Sequence, residues 1–220
     1  YGLAQGHAQQ FRPLLETLAR TIRHSGCNAS DAIVRTDAYF RRLPQGGQYF
    51  RLLLDFPWLL EKMVAPVLLS PTMASLLQQS PHIIDRYLEQ QIAVDEEVDT
   101  TIVFSNADYE YRLENLRRLT NEELYLRYSH YFEGKSEPEE FQKQLSCLAE
   151  QMLCASVRVA NEEMQLERAP VAVIGFGKLG ARGMMPKSDL DLVYLCDAMH
   201  NHRLSSQYAS RLNTVINLPM

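Results

Sequence analysis

Two aspartates separated by one residue carry the strongest chemical signal in this sequence, in the segment Ser188-Asp-Leu-Asp-Leu192. Side chains alternate along a β-strand, so the spacing predicts Asp189 and Asp191 on one face and the leucines on the buried face. Paired carboxylates repel each other unless a cation neutralises them, and strand interiors disfavour Asp. The pair therefore predicts catalytic Mg²⁺ ligands, with substrate phosphates completing the coordination. The alternative is a solvated pair at a strand start.

A glycine-rich loop precedes the aspartates. Gly175-Phe-Gly-Lys-Leu-Gly180 follows a β-branched apolar run, and Asp189 lies eleven positions after Lys178. Glycines let the backbone approach phosphates closely, and loop amides can bind them. Lys178 is placed to reach a phosphate, with a solvated loop charge as its alternative role. The predicted nucleotide-binding residues are Gly177, Lys178, Gly180 and Ser188.

The same glycine spacing is typical of dinucleotide-binding folds, but its surroundings argue against that interpretation. In those folds a full helix follows the glycines, and an acidic residue ends the next strand about 20 residues on. Here the next strand is predicted to start near Ser188, which leaves only residues 181–187 between the two. Pro186 obstructs a helix within that stretch.

Other chemically capable residues give weaker signals. His200-Asn-His202 has metal-ligand spacing, but a solvated polar loop is favoured over a zinc site. Trp58, Tyr49 and Phe50 are expected to be core anchors rather than a nucleobase platform.

The cysteines and the charge balance exclude several classes of function. The four cysteines, at positions 27, 147, 154 and 196, contain no C-x-x-C pair and are predicted to be buried free thiols. Free thiols fit a reducing cytoplasm, which is the expected location. The N-terminal residues lack the signal-peptide pattern and no apolar run approaches bilayer length, so no membrane partner is expected. The net charge of −5 disfavours non-specific nucleic-acid binding. The sequence begins Tyr1-Gly-Leu, and it is interpreted as a piece of a longer protein.

The elements that position the chemistry fall into two parts. Residues 1–167 are predicted to be an all-helical region, with helix ends at Gly26 and Gly134. Predicted helix starts are Asn28 or Ser30, Ser70-Pro71, Ser80-Pro81, Ser105-x-x-Asp108 and Ser136-Glu-Pro-Glu139.

Residues 168–220 are predicted to begin an α/β domain, which makes the fold class α+β. Val171–Ile174 reads as a buried strand, Leu190–Leu195 as a second strand and Arg203–Leu218 as a helix. Two strands and one helix do not form a stable core alone. Either the helical region covers them, or the domain continues past Met220.

Residues 173–197 closely resemble the signature of glutamine synthetase adenylyltransferases, a family with polymerase-β-like nucleotidyltransferase domains. That signature runs Gly-Lys-Leu-Gly-Gly-x-Glu-Leu, then, after a short gap, Ser-Asp-Leu-Asp-Leu. The helical region is similar too. Its matching segments are Leu52-Leu-Leu-x-Phe-Pro-x-Leu-Leu60, the Ser-Pro turn at Ser70 and Arg117-Arg-x-x-Asn-Glu-Glu-Leu124.

The resemblance implies Mg²⁺-dependent transfer of AMP from ATP to a tyrosine of glutamine synthetase, which regulates nitrogen assimilation. Members carry two related halves, one that adds AMP and one that removes it by phosphorolysis. The Val173-Ile-Gly-Phe-Gly-Lys-Leu-Gly180 version is more similar to the adenylylating half. The implied partners are glutamine synthetase and a PII nitrogen-signalling protein.

Three departures from the family pattern bear on activity. Ala181 replaces a Gly, and Gly183 stands where the family usually has Glu. The family also has a third acidic strand downstream, within Asp-x-Arg-x-Arg-Pro-x-Gly, which residues 1–220 do not include. Asp197 cannot substitute, because it lies roughly 20 Å beyond Asp191 at strand rise. The 220 residues alone are therefore expected to be inactive.

Two other functions remain open from the sequence. One is a polymerase-β-like nucleotidyltransferase that acts on RNA or a small molecule, although the low basic charge argues against RNA. The other is a non-catalytic helical interaction module with a degenerate nucleotidyltransferase remnant.

Overall fold

The computed structural model describes residues 12–42, 46–80, 82–88, 97–197 and 202–216. The chain divides into two compact units, Tyr1–Ile92 and Ala93–Met220. The change of composition near residue 168 falls inside the second unit. A domain division into 1–167 and 168–220 therefore stays a prediction.

The first unit is helical throughout its described residues. Its helices are α1 (Arg12–Ser25), α2 (Ala29–Phe40), α3 (Gly46–Asp55), α4 (Pro57–Leu69), α5 (Pro71–Gln79) and α6 (Ile83–Leu88). Helix α4 packs against α1, α2, α3 and α5, and it is apolar on most sides because it lies at the centre of the unit. Its buried side chains include Leu59, Leu60, Met63, Val64 and Val67.

The helix ends of the first unit follow their sequence signals in part. Gly26 has a φ of +67° just after α1, and the Asn28 side chain accepts a hydrogen bond from the Ser30 amide at 2.9 Å. The Ser70 side chain makes no capping hydrogen bond at α5, although Pro71 does begin that helix. Pro81 lies outside the described residues. Trp58 is 45% exposed, so its predicted role as a core anchor is wrong.

The second unit begins with a helical hairpin. A short 3₁₀ helix (Thr101–Phe104) precedes α7 (Tyr109–Phe132), and α8 (Pro138–Glu163) packs against α7. Asp108, rather than Ser105, caps α7 by accepting from the Tyr111 amide at 2.8 Å. The N-cap of α8 is Glu137, one residue later than the predicted Ser136, because Pro138 takes the first helical position.

The cysteines are free thiols, but the prediction that they are buried is wrong. Cys147, Cys154 and Cys196 are exposed, and Cys27 is partly buried. The reason on α8 is helical geometry. The buried stripe includes Leu145 and Met152, and each cysteine follows one of these residues by two positions, which rotates it to the opposite face.

The α/β part consists of β1 (Ala172–Gly175), a single-turn helix α9 (Gly177–Gly180), β2 (Leu192–Leu195) and α10 (His202–Ile216). The strands pair antiparallel, with Ile174 opposite Val193 and Gly175 opposite Leu192. Strand β2 begins two residues later than predicted. Together with the helices, this small sheet places the described residues in the α+β class.

The two faces of the sheet differ in burial, so the prediction that β1 is a fully buried strand is wrong. Val173 and Tyr194 pack against a cluster formed by Ala160 of α8 and by Tyr208 and Leu212 of α10. Helices α8 and α10 therefore cover one face of the sheet. The opposite face carries Ala172, Ile174, Val193 and Leu195, all exposed.

In the residues described before position 165, every regular element is helical, as the sequence predicts. None of the helices in the described ranges is both long enough and apolar enough to cross a membrane.

Candidate active site

The glycine turn and the aspartates meet where β1 ends and β2 begins. The ladder continues one residue past Gly175, because the Phe176 amide donates to the Asp191 carbonyl oxygen at 2.7 Å. Phe176 therefore lies opposite Asp191 across the strand pair, as the next step of the observed register. Strand pairing thus brings together two segments that are 15 positions apart in the sequence.

Two observations favour glycine at position 177. Its φ is +56°, a conformation that side-chain-bearing residues rarely adopt. A Cβ atom built on Gly177 would also lie 2.2 Å from the Asp191 Oδ2 atom. The Asp191 carboxylate therefore lies directly over the bare backbone of the turn.

Gly180 closes the turn through a second tight backbone contact. A Cβ atom there would lie 2.6 Å from the Gly175 carbonyl oxygen. Leu179, between Gly177 and Gly180, is buried and anchors the turn. Lys178 is exposed on the same single-turn helix. The predicted group of Gly177, Lys178 and Gly180 is therefore one compact turn at the end of β1.

Helix α8 holds the segment that follows the turn. The Arg182 guanidinium donates to both carboxylate oxygens of Glu150, at 3.2 Å each. Two residues on, the Met184 amide donates to the Ser146 hydroxyl oxygen at 3.1 Å, and Met184 is buried. These contacts join the backbone between the glycine turn and the aspartates to α8.

Helix α7 holds the residue just before Ser188. The Lys187 amide donates to the buried Tyr128 hydroxyl oxygen. Burial raises the pKa of Tyr128 to about 12, and the Lys187 hydrogen bond offsets part of that rise. Lys187 has a φ of +60°. The backbone that leads into Asp189 is therefore in contact with α7.

Ser188 closes a local turn in this structure. Its hydroxyl oxygen accepts from the Met185 amide at 3.0 Å, and its own amide donates to the Met185 carbonyl oxygen at 3.0 Å. The side chain is buried. Contact between Ser188 and a nucleotide stays a prediction.

Asp189 and Asp191 are both exposed, and Leu190 between them is partly buried. Leu190 lines a small hollow with residues of α7, α8 and α10, among them Met152 and Ile216. The alternation predicted for a strand thus extends to these three residues, although they precede β2. Asp191, opposite Phe176 in the ladder, lies on the same face as Val193 and Leu195. That the Asp189 carboxylate shares this face stays a prediction.

This donor set suits a hard cation that brings further ligands with it. In the ranges that the structure describes, no three His, Cys, Asp or Glu side chains gather closely enough to hold a metal ion. Mg²⁺ commonly uses one or two carboxylates together with substrate phosphates. Asp189 and Asp191 beside a glycine turn match that requirement. The predicted His200-Asn-His202 spacing includes His200, which lies outside the described residues.

Ala181 and Gly183, which differ from the family pattern, cause little backbone strain. Ala181 has an ordinary right-handed conformation, with φ of −84°. A Cβ atom on Gly183 would lie 3.9 Å from the Gln142 Oε1 atom, an ordinary contact. The fold therefore does not itself require glycine at position 183.

A family model of glutamate-ammonia ligase adenylyltransferase matches residues 60–216, which is more than half of the sequence. The chain belongs to this family. The match runs from within α4 to the end of α10, and so includes the glycine turn, both aspartates and the helices that contact them.

Curated relatives agree with this membership. The bifunctional glutamine synthetase adenylyltransferase/adenylyl-removing enzyme of Brucella melitensis biotype 1 is 30% identical over 196 residues, covering 84% of this chain and 19% of the relative. The enzyme of the same name from Chromobacterium violaceum is 26% identical over 200 residues, covering 85% and 22%. The chain therefore spans about a fifth of the length of these adenylyltransferase relatives.

The sequence reasoning missed the residues that support the site. Tyr128, Ser146 and Glu150 belong to helices whose periodic pattern indicates only packing. Their partners lie 32 to 59 positions later in the sequence, and no local spacing links them. Phe176 was also missed. Its signal is the continuation of strand alternation past Gly175, which places it on the face of the aspartates.

Proposed function

We propose that this chain carries the start of a polymerase-β-like nucleotidyltransferase site that takes part in adenylyl transfer to glutamine synthetase. In the proposed reaction, a tyrosine hydroxyl oxygen of glutamine synthetase bonds to the α-phosphorus of ATP. The hydroxyl proton is lost to solvent, and pyrophosphate leaves with the electrons of the broken P–O bond. The observation that carries the proposal is the Asp191 carboxylate over Gly177, in a chain of the glutamate-ammonia ligase adenylyltransferase family.

Each predicted residue has a role in this proposal. Asp189 and Asp191 hold Mg²⁺, which when bound offsets the negative charge of the phosphates and of the leaving pyrophosphate. The turn from Gly177 to Gly180 presents backbone amides to the phosphates at short range. Lys178 adds a positive charge next to them. The exposure of Asp189, Asp191 and Lys178 supports these roles, because ligands can reach all three.

The partners and the direction of transfer are part of the proposal. The names of the relatives from Brucella and Chromobacterium support glutamine synthetase as the protein substrate. The motif at 173–180 favours the adenylylating half over the half that removes AMP. A PII nitrogen-signalling protein is proposed as a further partner on the family resemblance, and the cytoplasm is proposed as the location.

The test uses a protein of the full length of the relatives that contains this chain. Glutamine synthetase is incubated with this protein, Mg²⁺ and ATP labelled at the α-phosphate, and labelled tyrosine is quantified. Asp189→Asn and Asp191→Asn should each lower the initial rate about a hundredfold or more, because each removes a charge needed at the metal. Omission of Mg²⁺ should have a similar effect.

The matched control is Asp197→Asn, which makes the same chemical change beyond the far end of β2. It should leave the rate within about twofold of wild type, which is less than 0.5 kcal/mol. Circular dichroism and Tm verify that all three variants fold. Near-wild-type transfer by the Asp189 and Asp191 variants would contradict the assigned site. Transfer to RNA or a small molecule, but not to glutamine synthetase, would contradict the assigned substrate.

A further inference from the structure

The exposed face of the sheet carries an aromatic side chain next to the aspartates. Phe176 follows β1 in an extended conformation, with φ of −114° and ψ of −176°, so strand alternation continues through it. It therefore lies on the same face as Ile174, Val193 and Leu195. Its partner across the ladder is Asp191.

Phe176 is unusually open for a side chain of this type. It is 52% exposed, whereas large aromatic side chains are mostly buried in folded proteins. In the part of the chain that the structure describes, no ring–ring contact involves Phe176. The ring therefore presents aromatic surface to solvent within one cross-strand step of a predicted metal ligand.

We infer that Phe176 is the base-binding residue of the site and that the adenine of ATP stacks on its ring. This inference rests on the proposed function, because the aspartates and the glycine turn are what would hold the phosphates. Residues directly opposite in an antiparallel pair have Cβ atoms about 5 Å apart. A nucleotide whose phosphates lie at Asp191 must place its base within a ribose's length of them, and Phe176 lies in that range.

The neighbouring side chains fit the same occupant. Ile174 and Val193 continue the apolar surface beyond Phe176 and are 38% and 42% exposed. An aromatic base has an apolar face and a polar edge, so it can cover Phe176 while its edge stays in water. Stacking accepts any base, which means that Phe176 supplies affinity, and selection among bases belongs to other residues.

The test compares two ligands that share the phosphates and differ in the base. Isothermal titration calorimetry measures the binding of Mg²⁺–ATP and of Mg²⁺–tripolyphosphate to the 220-residue chain. Phe176→Ala should weaken Mg²⁺–ATP binding by about 5-fold to 100-fold, the usual range for loss of base stacking on an aromatic residue. It should leave Mg²⁺–tripolyphosphate binding unchanged. Asp191→Asn should weaken both.

Leu195→Ala is the matched control. Leu195 is also 52% exposed and lies on the same face, roughly 13 Å from Asp191 at strand rise. It should change neither affinity. Equal effects of Phe176→Ala on both ligands, or no effect on either, would overturn the inference and leave the metal site standing. Insensitivity of both ligands to Asp191→Asn would overturn the proposed function, and with it this inference.

A second readout reports contact directly. Trp58 is the only tryptophan, so the double variant Trp58→Phe, Phe176→Trp places a single fluorophore at the proposed subsite. Mg²⁺–ATP should quench its emission by stacking, and Mg²⁺–tripolyphosphate should not. Equal responses to the two ligands would show that the base does not reach position 176.

Discussion

The two faces of the β1–β2 sheet have similar composition and opposite surroundings. On one face, Val173 and Tyr194 pack against α8 and α10 around the fully buried Leu212. On the other face, Ile174, Val193 and Leu195 remain exposed, and the aspartates continue the same alternation. One face is therefore the structural support, and the other is free to bind. Substitutions on the first face should act through stability, and substitutions next to Asp191 on the second face should act through ligand affinity.

The largest expected effect on stability comes from the buried face. Leu212→Ala should lower the free energy of unfolding by about 2–5 kcal/mol, because it leaves a cavity in a core that the chain cannot easily refill. Chemical denaturation followed by circular dichroism measures the change. Leu195→Ala on the exposed face is the control, with an expected change below about 0.5 kcal/mol. Similar losses for both variants would show that the two faces do not differ as described.

The next largest effect is expected when alanine replaces Gly177 rather than Gly183 in the same loop. Gly177→Ala should cost about 1–2 kcal/mol of stability from its left-handed backbone. It should also weaken Mg²⁺–ATP binding at least tenfold, because the new methyl group displaces the Asp191 carboxylate. Gly183→Ala should leave affinity and Tm near wild type, since its Cβ makes only an ordinary contact. The comparison fails if both alanines bind Mg²⁺–ATP equally well.

A smaller effect tests the support from α7. Tyr128→Phe removes the acceptor of the Lys187 amide and should cost about 1 kcal/mol of stability. Because Lys187 leads directly into Asp189, Mg²⁺–ATP affinity should also fall by a few fold. Denaturation and calorimetry measure the two quantities. A loss of stability without any change in affinity would show that Tyr128 supports only the fold.

The smallest expected effect is that of Tyr208→Phe on Tm, and it becomes measurable only at alkaline pH. Burial, with a smaller contribution from Tyr194, raises the pKa of Tyr208 to about 12, compared with an ordinary value of 10.0. Folding therefore favours the neutral form of Tyr208. The stability that this preference adds is complete below pH 10, and it is lost as the pH rises through 12. Tm measured across this range should fall less steeply for Tyr208→Phe than for wild type. Parallel Tm curves would contradict this expectation.

The sequence predicted the elements better than their faces and boundaries. Helical periodicity, Gly26, Asn28 and Gly134 are local signals, and the structure confirms each of them. Burial of β1 was predicted wrongly because a short β-branched run is the same whether one or both faces are covered. The number of covered faces depends on what packs there, which a local pattern does not contain.

The candidate site likewise has features that the sequence predicts and contacts that only the structure shows. The spacing of the aspartates and the glycine turn could be read directly, because strand alternation and positive-φ turns are local properties. The placement of the Asp191 carboxylate over Gly177 depends on strand register, and the contacts of Glu150 and Tyr128 depend on helix packing. These relations involve residues far apart in the sequence, so only the folded structure shows them.

The central claim is that the exposed face at Asp191 and Gly177 binds a magnesium nucleotide. Calorimetric titration of Mg²⁺–ATP into the wild-type chain and into Asp191→Asn tests it most directly. We predict binding by wild type that requires Mg²⁺, and affinity at least tenfold weaker in the variant. Tm should stay unchanged or rise slightly, because the substitution relieves like-charge repulsion. Equal affinities in two well-folded proteins would contradict the account.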